Sequence, residues 1–205
     1  MKPKYWNKGR LYLSNKDSVL KNIINKFPNE NLMLNNNYFH VLLNSIIGQQ
    51  ISVSAASAIK TRFFKLNKNI MPKIVIDLKE NSLKECGLSR QKILYIQNIS
   101  NFFILNKDFF KKINSLDEKE IKEKLISIKG IGNWTADMFL LSSYGSSNIF
   151  PQGDLGFIKA ISKSYKKELP ISDVYLKKLK KKWSPYNSIA TWYLWRSLNP
   201  LSASY

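Results

Sequence analysis

The chain has 205 residues, of which 44% are hydrophobic and 13% aromatic, so it is long and apolar enough to bury a core and is not a disordered chain. Basic residues number 33 against 14 acidic ones, a formal net charge of +19 that favours a polyanionic partner, although a composition rich in Lys, Asn and Ile contributes to the excess. A single cysteine, Cys86, excludes an internal disulfide and any cysteine-ligated zinc or iron–sulfur site.

The sequence gives no sign of a membrane segment. No run approaches the ~20 apolar residues of a membrane span, and the N-terminus MKPKYWNKGR lacks the apolar core of a signal peptide. We therefore expect an intracellular protein without a membrane partner, cytoplasmic and nucleoid-associated if bacterial. His40 has no second ligand or nucleophile nearby, and Cys86 is alone, so structural roles are expected for both.

Apolar residues recur at helical spacing along most of the chain. After about 13 basic and aromatic residues without clear periodicity, the pattern predicts helices at 19–27, 39–48, 52–63, 72–78, 83–86, 90–105, 115–128, 133–144, 155–165, 172–182 and 185–198. Ser115 to Glu118 has the form of a capping box, and Pro185 suits a first helical position.

Sustained alternation of apolar and polar residues is nowhere convincing, so the predicted fold class is all-α, with about ten short helices in a two-lobed bundle. We expect one unit over residues 1–205. Its seams fall in the Asn-rich loop at 29–37 and the loop at 145–153, which gives one lobe of about 1–37 plus 146–205 and another of about 38–145.

The stretch from Leu125 to Asp154 is the most informative in the chain. It predicts a helix–hairpin–helix over 117–144, in which Gly130 and Gly132 let the backbone turn tightly and approach another molecule closely. The second helix starts directly after these glycines, so its first N–H groups suit a phosphate. A helical hairpin of this kind also serves as a plain scaffold.

One carboxylate, Asp154, follows the hairpin and immediately precedes a predicted helix. Asp favours the N-cap position, where the helix dipole stabilises its charge. An Asp held ionised at a helix start is also poised to stabilise a developing cation, so a structural and a chemical role are compatible.

Five blocks in order carry a resemblance to a known family: SIIGQQISVSAA (45–56), GLSRQK (87–92), LISIKGIGNWTADMFLL (125–141), FPQGDLGFIK (150–159) and WSPYNSIATWYLWR (183–196). Over about residues 14–198 the chain resembles the helix-hairpin-helix DNA glycosylase superfamily, and within it the 3-methyladenine DNA glycosylase II branch. The resemblance implies a hairpin at the cleft between the lobes. The N-terminal β domain of longer bacterial relatives is absent from the pattern.

The resemblance assigns roles to individual residues. Asp154 matches the catalytic aspartate. Trp134 lies where bifunctional members carry a lysine nucleophile, so a monofunctional enzyme without lyase activity is expected. Trp134, Met138 and Trp195 match the base pocket, and Gln50, with its neighbour Gln49, matches the side chain that wedges into the duplex. Capping of the broken backbone between two helices is an equally good interpretation of Gln49.

Phosphate contacts are expected from the hairpin, at Gly130, Gly132, Asn133 and Thr135. The backbone carbonyls of Ile126, Ile128 and Ile131 match those that hold a monovalent cation, so a structural Na⁺ or K⁺ is allowed. No cofactor is required and no iron–sulfur cluster is expected. The implied partner is double-stranded DNA with a damaged base, bound by a monomer.

The implied function is a base-excision-repair glycosylase that flips out alkylated purines and hydrolyses the N-glycosidic bond with one aspartate. Two alternatives remain open from the sequence. One is a glycosylase for another lesion, namely uracil, hypoxanthine or an oxidised purine. The other is a non-catalytic helix-hairpin-helix module that binds distorted DNA.

Overall fold

The computed structural model describes residues 1–198, which are mainly helical and contain no β-strand. In chain order the α-helices are α1 (Trp6–Lys16), α2 (Ser18–Lys26), α3 (Tyr38–Gly48), α4 (Val53–Lys65), α5 (Pro72–Asp77), α6 (Glu80–Glu85), α7 (Arg90–Leu105), α8 (Lys107–Lys111), α9 (Glu118–Ile126), α10 (Asn133–Phe139), α11 (Leu155–Tyr165), α12 (Asp173–Trp183) and α13 (Asn187–Leu198). A 3₁₀ turn, Ile113–Ser115, and a π-helical segment, Leu140–Tyr144, complete the helical structure of this part of the chain. The all-α fold class is confirmed.

The chain divides into two compact units. The first joins Met1–Asn35 to the segment that starts at Leu140, and the second is Asn36–Phe139. No helix within residues 1–198 is long and apolar enough to cross a membrane.

Helix α1 was not predicted, and the reason is a glycine on its apolar face. The helix buries Trp6, Gly9 and Leu13, which have helical spacing, but glycine at the middle position hides the pattern. A side chain at Gly9 has no room, because an added Cβ would lie 2.4 Å from Ile189 and 2.7 Å from the Tyr186 ring. Gly9 therefore lets α1 pack closely against α13, and the same glycine interrupts the apolar pattern that would have predicted the helix.

Two helix starts differ from their predictions. Asp117, not Ser115, caps α9 and forms a capping box with Glu120, while the Ser115 hydroxyl donates to the Lys112 carbonyl within the preceding 3₁₀ turn. Helix α13 begins at Asn187 rather than at Pro185, because the Tyr186 N–H bonds the Trp183 carbonyl in a turn that separates α12 from α13.

The first unit is built around large aromatic side chains. Trp6 and Tyr193 lie against each other with ring centroids 5.8 Å apart, and Phe150 packs edge-on against Phe157 at 4.8 Å. Trp183 is fully buried beside Phe150. These contacts join α1, α11, α12 and α13 around one core.

A buried carboxylate, Asp17, links α2 to α12. It caps α2 by accepting from the backbone N–H groups of Val19 and Leu20, and it accepts from Trp183 Nε1 at 3.0 Å. Lys182 Nζ lies 2.8 Å from its second oxygen, while Asp17 itself is 1% exposed. The sequence alone does not mark Asp17 as a link between helices, because Lys182 and Trp183 lie more than 160 residues away in the chain.

We expect Asp17 to contribute stability that acid removes. Burial raises its pKa, but hydrogen bonds from Lys182, Trp183, the Leu20 N–H and Tyr165 lower it further, so the net pKa of Asp17 lies below the usual value. The stabilisation is therefore present above the unfolded pKa, about 4, and is lost as pH falls below it through the folded pKa.

Asp17→Asn keeps the cap but removes the charge, and we expect it to lower the free energy of unfolding at pH 7 by about 2 kcal/mol. Urea unfolding at pH 7 and pH 3 measures this, and the deficit should shrink at pH 3. The control is Asp77→Asn, which changes an exposed carboxylate. An equal deficit at both pH values would contradict the ionic role of Asp17.

The second unit packs α3, α5, α7, α9 and α10 around aliphatic side chains. Ile46, Ile96, Ile121 and Leu125 are completely buried, and so is Phe63 on α4. Two residues expected to be structural are so. His40 Nε2 lies 2.8 Å from the Ile70 carbonyl, and Cys86 is buried, which raises the pKa of its thiol.

Candidate active site

The hairpin between α9 and α10 forms as predicted. After α9 ends at Ile126, the N–H of Ile128 bonds the Leu125 carbonyl and the N–H of Ile131 bonds the Ile128 carbonyl at 2.9 Å. The carbonyl of Gly132 accepts from the N–H of Ala136 and opens α10. The turn therefore places backbone groups from the end of one helix and the start of the next at a single tip.

The two hairpin glycines are needed for different reasons. Gly130 has φ +110°, and a Cβ added there would lie 2.4 Å from Tyr95 Cγ. Gly132 has nothing within 4 Å of an added Cβ and is exposed. The fold itself requires glycine at 130, whereas at 132 the protein leaves space for another molecule.

The residues around the tip divide into inward and outward sets. Ile131 and Ala136 are buried, and Asn133 is exposed at the first position of α10. Thr135 is 1% exposed, and its Oγ1 accepts from Gln49 Nε2. The Thr135 side chain, expected at the phosphate, thus points into the protein, so only its backbone is left for that role.

An ion pair joins the two helices of the hairpin. Lys122 Nζ on α9 lies 2.6 Å from Asp137 Oδ1 on α10. Asp137 is therefore an inter-helix partner within the hairpin. With Asp137 engaged in this way, Asp154 is the carboxylate of the 125–154 stretch that remains for chemistry.

The break between α3 and α4 has an unusual backbone. Gln50 has φ +57°, a left-handed conformation that costs a non-glycine residue about 1–2 kcal/mol. Its neighbour Gln49 does not point outward, since its Nε2 donates to the Gly130 carbonyl at 3.2 Å and to Thr135 Oγ1 at 3.1 Å. The Gln49 side chain thus bonds the hairpin in this structure, and Gln50 is the exposed residue of the pair expected at the wedge.

The expected pocket residues of α10 differ in exposure. Trp134 is half-buried in the first turn, whereas Met138 is 6% exposed. Trp134 thus retains surface that a ligand can contact, and Met138 contributes mainly to packing.

The hairpin carbonyls suit a monovalent cation. Ile126 ends α9, and the carbonyls of a last helical turn lack intrahelical partners. The Ile128 carbonyl accepts one hydrogen bond, from the Ile131 N–H, and keeps a second lone pair. Residues 1–198 hold no cluster of three or more His, Cys, Asp or Glu side chains for a metal.

In the other unit, Asp154 is the N-cap of α11. Its Oδ1 accepts from the backbone N–H of Phe157 and from the indole Nε1 of Trp195 at 3.0 Å. Trp195 lies on α13, 41 residues away, and is 9% exposed. Two donors on one oxygen fix the rotamer of the carboxylate.

A glycine keeps room for this arrangement. A Cβ added at Gly156 would lie 3.2 Å from Asp154 Oδ1 and 3.9 Å from Trp195 Nε1. Neither the indole–carboxylate bond nor this spacing was predicted. The sequence placed Trp195 in the base pocket, and the structure gives it a direct contact with the candidate catalytic group.

We expect Trp195→Phe to slow any reaction that depends on Asp154. The change keeps an aromatic ring but removes the N–H donor, and a hydrogen bond to a charged group is worth about 1.5–3 kcal/mol, or about 10- to 100-fold in rate. Single-turnover base release measures the effect. Trp192→Phe, three residues earlier in the Trp6–Trp192 contact, controls for lost packing. Equal losses in the two variants would contradict a positioning role.

The described residues are mainly helical and form two units, one with a glycine hairpin and the other with a helix-capping aspartate. The family model of the HhH-GPD superfamily of base excision DNA repair proteins matches residues 43–192. The chain belongs to this superfamily.

Curated relatives include the putative DNA-3-methyladenine glycosylase YfjP of Bacillus subtilis, 30% identical over 82% of this chain and 61% of the relative. The DNA-3-methyladenine glycosylase of Saccharomyces cerevisiae is 34% identical over 73% of this chain and 56% of the relative. The chain thus spans about three fifths of the length of these two relatives.

Among solved structures, the 3-methyladenine DNA glycosylase Mag1 of Schizosaccharomyces pombe, in complex with abasic DNA, superposes with a TM-score of 0.82. It is 25% identical, and the match covers 97% of this chain and 99% of that protein. This likeness extends over both units.

Proposed function

We propose that the chain is a monofunctional DNA glycosylase that removes alkylated purines of the 3-methyladenine type from double-stranded DNA. The observation that carries the proposal is Asp154, a helix-capping carboxylate held by the Trp195 indole in a chain of this superfamily. The names of the similar relatives support the same substrate class. We also propose that it acts as an intracellular monomer.

The first step is a grip on the DNA backbone. Gly130 and Gly132 present backbone N–H groups at the hairpin tip, and Gly132 is exposed with open space beside it. Asn133, also exposed, adds a polar side chain at the start of α10. The net charge of +19 supplies the long-range attraction to phosphates, which is independent of sequence and sensitive to salt.

The second step takes the damaged base out of the stack. Flipping a nucleotide costs a few kcal/mol, and a side chain inserted into the gap offsets part of that cost. Gln50 is exposed at the break between α3 and α4 and is the candidate wedge. The flipped purine stacks on Trp134 in this proposal. An alkylated purine is cationic, so electron-rich ring faces favour it over a normal base.

The chemical step needs one carboxylate. The positive charge on the alkylated base weakens its bond to C1′, so the base leaves neutral without being protonated by the enzyme. The bond's electron pair goes to the base, and the sugar becomes oxocarbenium-like. Asp154 stabilises that cation electrostatically, and water adds to C1′. One proton of the water is released to solvent and the other stays in the new hydroxyl group.

Lyase activity is not expected, because a Schiff-base mechanism needs an amine where this chain has Trp134. No redox or group-transfer cofactor enters the proposed reaction. A Na⁺ or K⁺ held by the carbonyls of Ile126, Ile128 and Ile131 would neutralise part of a DNA phosphate's charge at the hairpin.

A panel of duplexes, each with one lesion, tests the proposal. We expect base release from 3-methyladenine or another alkylpurine, detected as strand breaks only after alkali. Release only from uracil, hypoxanthine or an oxidised purine would show that the chain is a glycosylase for that lesion and not for alkylated purines. Breaks without alkali would contradict the monofunctional assignment built on Trp134, and no release from any lesion would favour a non-catalytic DNA-binding module.

A further inference from the structure

The side chain of Gln49 ties two distant parts of the second unit together. Its Nε2 donates at 3.2 Å to the Gly130 carbonyl and at 3.1 Å to Thr135 Oγ1, across 81 and 86 residues of sequence. One acceptor belongs to the hairpin tip and the other to the first turn of α10. The two bonds use both protons of a single amide, which fixes its position in two directions.

The backbone next to this amide is held in an energetically unfavourable conformation. Gln49 ends α3 with an extended ψ of 130°, and Gln50 follows in the left-handed region at φ +57°. Such a conformation persists in a non-glycine residue only where its surroundings over-determine it. The Gln50 side chain is itself exposed, so the constraint has to come from the neighbouring residues.

The segment has further anchors, but none of them reaches the hairpin. Lys92 Nζ on α7 donates to the Ile47 carbonyl at 2.7 Å, near the end of α3. Ser52 caps α4 by accepting from the Ala55 N–H. Among the described residues between α3 and α4, Gln49 is thus the one whose side chain hydrogen-bonds the hairpin.

We propose that Gln49 is a positioning residue that couples the hairpin to Gln50, so that DNA phosphate seated on the hairpin sets where the Gln50 side chain enters the duplex. This inference rests on the proposed function because it takes Gln50 to be the side chain that inserts into the duplex. It does not depend on the chemical step. The Gly130 carbonyl belongs to the peptide group that precedes the hairpin's outward-facing residues. A shift of the tip is therefore transmitted directly to the Gln49 amide.

Gln49→Met tests the inference, since methionine has nearly the same length and lacks the two N–H donors. The matched control is Gln97→Met on α7, a residue without a side-chain hydrogen bond in the described part of the chain. The probe is a duplex with a tetrahydrofuran abasic analogue opposite 2-aminopurine, whose fluorescence reports insertion into the gap. This readout requires no base release.

We expect wild type and Gln97→Met to give the same fluorescence change, and Gln50→Ala to give a smaller change that is still measurable. Gln49→Met should weaken insertion by about 3- to 10-fold, the value of one or two neutral hydrogen bonds. Its Kd for undamaged duplex should stay within about twofold of wild type, because the phosphate-binding groups are unchanged. In the double variant Gln49→Met/Gln50→Ala, insertion should equal that of Gln50→Ala alone.

Thr135→Val keeps the inference testable if Gln49→Met does not fold, since it removes one acceptor and should give a smaller loss in the same direction. A Gln49→Met protein that matches Gln97→Met overturns the inference, and so do additive losses at 49 and 50. A wild-type chain with no fluorescence change also overturns it. Normal insertion without base release from the lesion panel would instead overturn the proposed function and leave the coupling intact.

Discussion

Asp154→Asn should abolish release of alkylated purines while leaving the fold and DNA binding in place. The amide cannot stabilise an oxocarbenium-like sugar, and loss of one preorganised electrostatic group costs about 10²–10³-fold in rate, with a full charge expected at or above that range. Asn caps helices as well as Asp, so α11 keeps the bond from the Phe157 N–H. Single-turnover base release, with Kd for abasic duplex measured alongside, separates chemistry from binding.

The matched control for this prediction is Asp173→Asn, which changes an exposed carboxylate at the start of α12. We expect it to release base at the wild-type rate. Asp154→Ala should lose activity and also about 1 kcal/mol of stability, because the α11 cap is gone. Full activity of Asp154→Asn would refute the assignment of Asp154 as the catalytic group.

Gly130→Ala should destabilise the second unit by about 2–4 kcal/mol. The substitution demands φ +110° of a residue with a Cβ and drives that Cβ to within 2.4 Å of Tyr95 Cγ. Unfolding by urea measures the change. DNA affinity should fall as well, since the hairpin tip has to move to relieve the overlap.

Gly132→Ala, two residues later, is the contrasting variant. Nothing lies within 4 Å of its added Cβ, so stability should change by no more than about 0.5 kcal/mol, while the methyl group obstructs the approach of a phosphate. Tyr95→Ala in the Gly130→Ala background should restore part of the lost stability. A Gly130→Ala protein as stable as Gly132→Ala would contradict the division of roles between the two glycines.

Local features of the chain were predictable because their causes are local. The hairpin, the capping position of Asp154 and most helices follow from spacing and residue type over a few positions. Family resemblance added the expected chemical role of Asp154 and the expected lysine position that Trp134 fills. None of these inferences needed a contact between distant segments.

The contacts that were missed at the candidate site join segments far apart in the chain. The Trp195 indole meets Asp154 across 41 residues, and the Gln49 amide reaches Gly130 across 81. Tyr95, whose ring leaves no room for a Cβ at Gly130, lies in α7 beyond the GLSRQK block. Periodicity reports which face of a helix is buried and gives no information on which partner covers it.

Asp154 combines a helix-capping role with a proposed chemical role, and this affects which substitutions related sequences can accept at this position. Folding alone accepts several residues at a helix N-cap, Asn and Ser among them, at nearly equal stability. Selection for the proposed base removal is what distinguishes Asp from these substitutes. A lineage that no longer needs the reaction can therefore lose it through one substitution at 154 and still produce a well-folded protein of the same shape, so conservation of this fold is poor evidence of conserved catalysis.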